Sequence, residues 1–333
     1  MRLGITIPLD GFQNRHFIEL VRHAEKLGYA DAWSYETMVG DGITPIAAAA
    51  SVTERIRFGT AILPVFTRSP ALLAMSAAGL QNLSGGRFIL GVGISTPTIV
   101  QQWMDVPYEK PVTRLRETVE ALRAIFSGQK VSMKGKTLAI DGFRLGAHME
   151  NPPPIYVGAQ GELMLRTAGE VGDGTIVNFI TPETFPQMLA HIREGARKAG
   201  KQTGAIEVAC RIVVAIDQEE DVVREQLRRE LTAYLTVPQY NKFFQWIGYE
   251  KEARTALTAW NAGDRKKALA SVPDQMMESI FIYGTPDRWA KRLKDYEKAG
   301  ITSTALQFTS YVKDPEEKRK RIMRAMEALS SAW

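Results

Sequence analysis

A single cysteine, Cys210, rules out an internal disulfide framework for this 333-residue chain. It sits in the apolar run EVACRIVVAI, which reads as a strand carrying a buried thiol. Histidine is equally scarce. His16, His23, His148 and His191 show neither an HExxH pattern nor a paired spacing, which excludes the common zinc signatures. There is no GxSxG elbow and no GxxxxGK(S/T) loop. Gly91-Val92-Gly93 lacks the third glycine of a dinucleotide fingerprint. No run approaches the roughly 18 apolar residues of a membrane span. Met1-Arg2-Leu3-Gly4-Ile5-Thr6-Ile7-Pro8 reads as a strand rather than a targeting segment, so a reducing cytoplasm is the expectation. Basic and aromatic residues are not interleaved on any segment, which argues against nucleic acid. The net charge of +5 comes from 42 basic against 37 acidic residues, scattered together as in Glu316-Glu317-Lys318-Arg319-Lys320. Such a mild excess suits an anionic small molecule at most.

What is present is a repeated strand–helix unit. From Arg55 to Gly93 the chain reads IRFGTAI, then the helical PALLAMSAAGLQNLSGG, then RFILGVG. Two strands joined by a helical crossover are parallel neighbours. Both are apolar on successive residues, so both faces are covered. Strand-like runs recur near residues 2–8, 30–35, 56–62, 88–92, 154–158, 174–178, 206–216 and 303–308. Between them, stripes such as Phe17, Leu20, Val21, Ala24 and Leu27 in 15–27, and Leu115, Val119, Leu122 and Phe126 in 112–126, have helical spacing. Thr44-Pro45, Ser69-Pro70, Thr181-Pro182, Thr285-Pro286 and Asp314-Pro315 each place a capping side chain before a proline at a helix start. Gly28, Gly200 and Gly300 mark helix ends.

Eight strands alternating with helices predict an α/β fold, a (β/α)8 barrel over residues 1–333 as one domain. Two stretches exceed the minimal plan. Residues 127–153 hold a hairpin candidate (130–132 with 136–138), and 236–285 hold extra helices with Tyr240, Phe243, Phe244, Trp246, Ile247 and Tyr249 crowded together. That cluster either lines a pocket or packs one helix on another.

In such folds ligands bind where the strands end. The candidates are therefore Trp33-Ser34-Tyr35-Glu36-Thr37, Thr60-Ala61-Ile62, Gly91-Val92-Gly93-Ile94-Ser95, Gly158-Ala159-Gln160-Gly161 and Asn178. Gly158 and Gly161 flank a strand-to-helix turn. Its N–H groups hold a phosphate, or else the glycines merely permit the turn. Glu36, beside Trp33 and Tyr35, is the best acid of the set. It is a proton donor or ligand-orienting group, or alternatively a surface or salt-bridged acid. Asn178 bonds a heterocycle edge or caps a loop. Arg68 and Arg87 pair with phosphate or serve the surface.

ERIRFGTAILPVFTRSPALLAMSAAGLQNLSGGRFILGVGIS closely resembles the bacterial luciferase-like family of flavin- and deazaflavin-dependent oxidoreductases. PYEKPVTRLRETVEALRAIF, PPPIYVGAQGELMLRTAGEVGDGTIVNFITPE and IYGTPDRWAKRLKDYEKAGIT extend the likeness almost end to end. In detail it is most similar to the branch using coenzyme F420, which includes methylenetetrahydromethanopterin reductase. The resemblance implies a luciferase-like barrel that transfers hydride between F420 and a small organic substrate. FMN-dependent monooxygenation is the alternative, and a non-catalytic flavin or deazaflavin carrier the third reading. It further implies a homodimer or larger assembly. A non-prolyl cis peptide is expected at Ala61-Ile62, cofactor contacts at Thr60, Ala61, Ile62, Gly91, Gly93, Ser95 and Asn178, and a phosphate-holding turn at Gly158, Ala159, Gln160 and Gly161. Two departures matter. Many relatives carry an acid–histidine pair where this chain has Tyr35-Glu36-Thr37. The glutamate that follows GVG in F420-dependent glucose-6-phosphate dehydrogenases is also missing, which disfavours sugar phosphate oxidation.

Overall fold

A computed structural model describes residues 1–12, 16–204, 206–217 and 219–333. Eight strands form the barrel: β1 (Gly4–Thr6), β2 (Asp31–Ser34), β3 (Arg57–Thr60), β4 (Phe88–Gly93), β5 (Ile155–Gly158), β6 (Gly174–Asn178), β7 (Glu207–Ala215) and β8 (Ser303–Thr309). They run in the order β3-β2-β1-β8-β7-β6-β5-β4, and β3 pairs with β4 to close the ring. The register is parallel, with Gly4 opposite Asp31, Trp33 opposite Gly59, Phe58 opposite Phe88 and Gly158 opposite Ile176. Six strands fall inside a run identified from the sequence, and β4 and β8 each extend one residue beyond theirs. The predicted 15–27 helix is seen as His16–Lys26, and residue 15 lies outside the described residues.

The proline-marked helix starts hold in three cases. Ser69, Thr285 and Asp314 accept from the N–H groups of Leu72, Arg288 and Glu317. Two differ. Helix Thr44–Ala50 is not capped by Thr44. Asp41 Oδ1 instead accepts from the N–H groups of Ile43 and Thr44, both at 2.8 Å. Thr181-Pro182 opens a turn, and the helix begins only at Phe185, whose N–H meets the Thr181 carbonyl at 3.0 Å. The hairpin also shifts. Val131–Lys134 pairs antiparallel with Ala139–Phe143, not with 136–138. The Glu117 carboxylate takes the N–H groups of Lys136 (2.6 Å) and Thr137 (2.9 Å), and Gly135 bonds the Leu138 carbonyl, so 135–138 becomes the turn.

The chain gathers into two compact units. The first comprises Met1–Val177, Gln187–Cys210 and Ile301–Ala305. Its barrel interior is filled by Trp33, Ile89, Tyr156, Ile176, Ala209 and Ala305, with Ala61 and Ile62 packed against them. Large side chains fit because small ones face them. A Cβ on Gly59 would lie 2.2 Å from the Trp33 ring, and one on Gly174 2.6 Å from that of Tyr156. At the N-terminal ends of the strands, Asp31 meets Arg57 and Arg2, and Arg2 also meets Glu207.

The second unit comprises Asn178–Pro186, Arg211–Gly300 and Leu306–Trp333. Helices Glu220–Leu235, Pro238–Trp246, Glu250–Asn261, Arg265–Ala270, Asp274–Ile280, Pro286–Ala299 and Pro315–Ala332 build it. The aromatic cluster read from 240–249 is divided in role. Phe243 and Phe244 are buried in packing, whereas Tyr240, with Tyr234, stacks on Phe179 beyond β6 at 5.7 and 4.3 Å between ring centroids.

Candidate active site

In the first unit, the ends of β3, β4 and β5 are stitched into one surface. The Thr60 hydroxyl donates to the Gly91 carbonyl (2.7 Å) and accepts from its N–H (2.9 Å). The Ala61 N–H reaches the Ser34 carbonyl at 2.5 Å. The peptide between Ala61 and Ile62 is cis. Chain beyond β3 then crosses so closely over its neighbours that only glycine fits beneath. A Cβ on Gly91 would stand 1.7 Å from the Thr60 carbonyl oxygen. On Gly93 or Gly158 it would stand 2.9 and 2.8 Å from Ile62 carbons. Ile62 is thus an apolar shelf seated on two glycines. Ser95, just beyond β4, holds a left-handed φ of 58°, a strained conformation for a non-glycine residue. Its carbonyl faces the Tyr108 hydroxyl at 3.5 Å, and burial pushes that hydroxyl's pKa up to about 12.

β5 runs through the buried Ala159 and extended Gln160 into helix Gly161–Val171. The Gln160 side chain does not cap the helix. The first N–H groups of a helix have no intrahelical partner and carry about half a positive charge between them. Gly161 has a φ of +72° and open space over its Cα, so nothing crowds the turn. A strand end of this form can accept an anion on backbone donors alone.

Glu36 takes the salt-bridged form of the alternatives left open by the sequence. Arg68 Nη2 lies 2.7 Å from Oε2, and Arg68 Nε lies 3.2 and 3.3 Å from the two oxygens. Both side chains are largely covered, at 8% and 19% exposure. We expect Glu36→Gln to cost about 2 kcal/mol in urea denaturation, the scale of a charge-assisted hydrogen bond. Arg68→Gln should cost the same, and the double variant much less than the sum. A kcat that survives Glu36→Gln would remove this residue from proton donation. Arg87 is structural: its guanidinium donates to the carbonyls of Ser84 (2.6 Å) and Thr53 (2.8 Å).

In the second unit, the Asn178 side chain bonds the Tyr240 hydroxyl. A small cavity is lined by Asn178, Phe179, Arg211, Val213, Ile280 and Phe281. Arg211 Nε donates to Gln307 Oε1 at 3.0 Å. Glu230 faces this group. Burial pushes its carboxyl above the ordinary range, and the Arg211 charge only partly opposes that. Burial likewise pushes up the hydroxyls of Tyr240 and Tyr311. The sequence reading missed Arg211, Gln307, Glu230 and Tyr311. A signal existed: Val223, Leu227, Glu230 and Tyr234 fall on one helical stripe, so an acid interrupts an apolar face.

Among the described residues, no group of three or more His, Cys, Asp or Glu side chains could hold a metal ion. No helix is long and apolar enough to cross a membrane. The Cys210 thiol is fully buried and its pKa pushed up by that burial, as expected of a packing residue.

The comparisons with known proteins agree with this geometry. The 5,10-methylenetetrahydromethanopterin reductase of Archaeoglobus fulgidus is 30% identical over 310 residues, spanning 91% of this chain and 92% of the relative. The solved coenzyme F420-dependent tetrahydromethanopterin reductase of Methanopyrus kandleri superposes with a TM-score of 0.80 at 27% identity, covering 99% of this chain and 97% of that one. The FMN complex of the oxygenating constituent of 3,6-diketocamphane monooxygenase from Pseudomonas putida shares the fold, with a TM-score of 0.71 at 18% identity over 100% and 97% of the two chains. The profile described as luciferase-like monooxygenase matches residues 1–303, and this (β/α)8 barrel belongs to that family.

Proposed function

We propose that the protein is an F420-dependent oxidoreductase that reduces or oxidises a small organic substrate by hydride transfer. The observation that carries this reading is the Ile62 shelf. An apolar side chain rests on Gly93 and Gly158, and the same strand end continues into a helix N-terminus. A flat ring needs an apolar backing, and an anionic tail needs backbone donors. This chain supplies both at the β5 end, where Ile62 from beyond β3 rests on Gly158 and the helix N-terminus follows.

In that reading Ile62 backs the ring. Thr60 fixes the shelf through its two bonds to Gly91, and Gly91 lets β4 lie beneath it. Gly158, Ala159, Gln160 and Gly161 hold the phosphate of the tail, while Ser95 shapes the β4 end. When bound, the deazaflavin supplies two-electron hydride chemistry, and the protein supplies orientation and exclusion of water. The solved reductase named for coenzyme F420 is 27% identical, and the 30% identical relative carries a methylenetetrahydromethanopterin reductase's name; the FMN protein at 18% supports the fold alone. A homodimer or larger assembly is the proposed working state. Exposed Met38 and Val39, and exposed Leu72, Met75 and Leu83 of helix Pro70–Leu83, are apolar surface available to it.

The test is a fluorescence titration of the purified protein with F420 and, separately, with FMN. We expect saturable F420 binding and none with FMN. Binding of FMN alone would replace hydride transfer with the monooxygenase reading, and binding of neither would end both.

A further inference from the structure

Glu36 is held by Arg68, and no histidine follows β2, so the first unit needs another group if its substrate takes up a proton. One hydroxyl is placed for this. Tyr108 lies in the segment that joins β4 to helix Pro111–Phe126. Its ring packs on that of Phe66, with centroids 4.8 Å apart and planes inclined by 31°. Phe66 is buried and stands four residues beyond Ile62. The Arg114 guanidinium lies 6.0 Å from the Phe66 centroid, itself pinned by the carbonyls of Val65 (3.1 Å) and Thr137 (2.6 Å). The Tyr108 hydroxyl faces the carbonyl of Ser95, two residues beyond the Gly93 on which Ile62 rests. Tyr108 therefore touches both segments that form the shelf. Its ring meets the one past β3, and its hydroxyl meets the one past β4.

Two further observations single this hydroxyl out. Its 3.5 Å contact with Ser95 is longer than the roughly 2.5–3.0 Å of an O–H···O bond, and it has no other hydrogen-bond partner among the described residues. Its proton is scarcely committed within the protein. The segment is also shaped against local preference. Ser95, Asp105 and Lys110 hold left-handed φ values of 58°, 53° and 45°, three of the four such non-glycine residues among those described. Between them lies a π-helical turn, Thr98–Trp103. Backbone of this kind persists only where its surroundings enforce it, and it gathers at ligand sites.

We propose that Tyr108 is the proton donor of the reaction and that its substrate is a carbonyl compound, a ketone or an aldehyde. This rests on the hydride-transfer reading above. The carbonyl carbon accepts hydride from the reduced deazaflavin, the π pair moves to the oxygen, and that oxygen takes the Tyr108 proton. The product is an alcohol. Tyr108 is half-buried, so the phenolate left behind regains its proton from water. The transfer runs downhill, because an alkoxide is a far stronger base than a phenolate. The charged neighbours in the chain, Asp105, Glu109 and Lys110, are exposed, and Arg114 is spent on Phe66 and two carbonyls. Burial alone raises the phenol's pKa, to about 12. A neutral donor suits an oxygen that gains negative charge as its bond is reduced. A cationic C=N group would call for a carboxylate instead, and Glu36 is committed to Arg68.

Tyr108→Phe keeps the ring that packs on Phe66 and removes the hydroxyl. In turnover with reduced F420 and a panel of small ketones, aldehydes and imines, we expect kcat for the carbonyl compounds to fall roughly a hundredfold, the scale of a lost general acid. F420 affinity should stay within about twofold. Carbon-13 NMR of protein labelled at tyrosine Cζ reads the hydroxyl without turnover. The Tyr108 signal, assigned by its absence in the variant, should shift when a ketone is added to the protein holding oxidised F420. A variant with the wild-type rate, a signal that the ketone leaves unmoved, or reduction of imines but of no carbonyl compound overturns the proposal. If Tyr108→Phe does not fold, trifluorotyrosine at position 108 keeps the side chain and makes its phenol more acidic. Carbonyl reduction should then be lost at lower pH than in the wild type, as the donor ionises, and an unchanged pH profile overturns the proposal. A protein that never binds F420 fails in the titration above instead, so the two failures are distinct.

Discussion

Replacing Gly158 with valine is expected to weaken F420 binding more than a hundredfold, about 3 kcal/mol, while leaving a folded barrel. A Cβ at this position would lie 2.8 Å from Ile62 Cγ2 and 3.6 Å from Cγ1. The side chain it meets cannot swing away cheaply. Ile62 follows a backbone fixed by the two Thr60–Gly91 bonds and by the 2.5 Å bond from Ala61 to Ser34. Overpacking of this kind typically costs 1–3 kcal/mol of stability. The larger loss falls on binding, because the displaced shelf and the β5 turn are the two surfaces assigned to ring and tail. Gly161→Ala separates sterics from backbone. Nothing lies within 4 Å of its Cβ position, so that variant suffers only the left-handed φ of +72°, a penalty of about 1 kcal/mol. Equilibrium fluorescence titration of both variants, beside a denaturation curve, checks the expectation. A folded Gly158→Val protein with the wild-type Kd would remove this turn from the cofactor site.

The barrel was legible because its signals are local and repeated. Each strand is a short apolar run, and Ser69, Thr285 and Asp314 cap helices that their following prolines announce. Where side chains from elsewhere in sequence intervene, the local signal fails. Glu117 turns 135–138 into a loop, and Asp41 takes the capping role from Thr44. The glycines of the strand ends were visible as candidates, but their physical reason was not. Gly91, Gly93 and Gly158 are required by Thr60 and Ile62, which stand about 30 residues or more away from them in the chain. Glu36 shows the same limit from the other side. Its residue type and place suggested an acid at a mouth, yet Arg68, 32 residues on, decides what its oxygens do. Glu230 went unread because a carboxylate on a helix is ordinarily solvated. Only β7 and the segment beyond β8 reveal what it faces.

The opposite end of the strands supplies the second large effect. Asp31→Ala should destabilise the protein by about 3 kcal/mol and leave F420 affinity unchanged. Asp31 opens β2 and is 1% exposed, so its carboxylate is fully withdrawn from water. It survives there because donors surround it: Arg57 Nε at 2.7 Å and Nη2 at 3.2 Å, Arg2 Nε at 3.4 Å, and the Ser303 hydroxyl. Burial disfavours the Arg57 cation, but Asp31 and Glu207 outweigh that and push its pKa up. Removing one partner of a buried pair typically costs 3–5 kcal/mol, because the remaining charge is stranded. The lower end applies here. Arg57 retains Glu207 at 3.6 Å and is 31% exposed, and Arg2 retains Glu207 at 2.6 Å. Asp31→Leu combined with Arg57→Met should recover most of the loss, since an apolar pair strands no charge. Urea denaturation of the single and double variants measures this directly. Residues at the N-terminal ends of barrel strands serve stability rather than chemistry. An Asp31→Ala protein as stable as wild type would show that the charge network does not hold the floor of the barrel. One that lost F420 binding while keeping its stability would place the ligand at the wrong end.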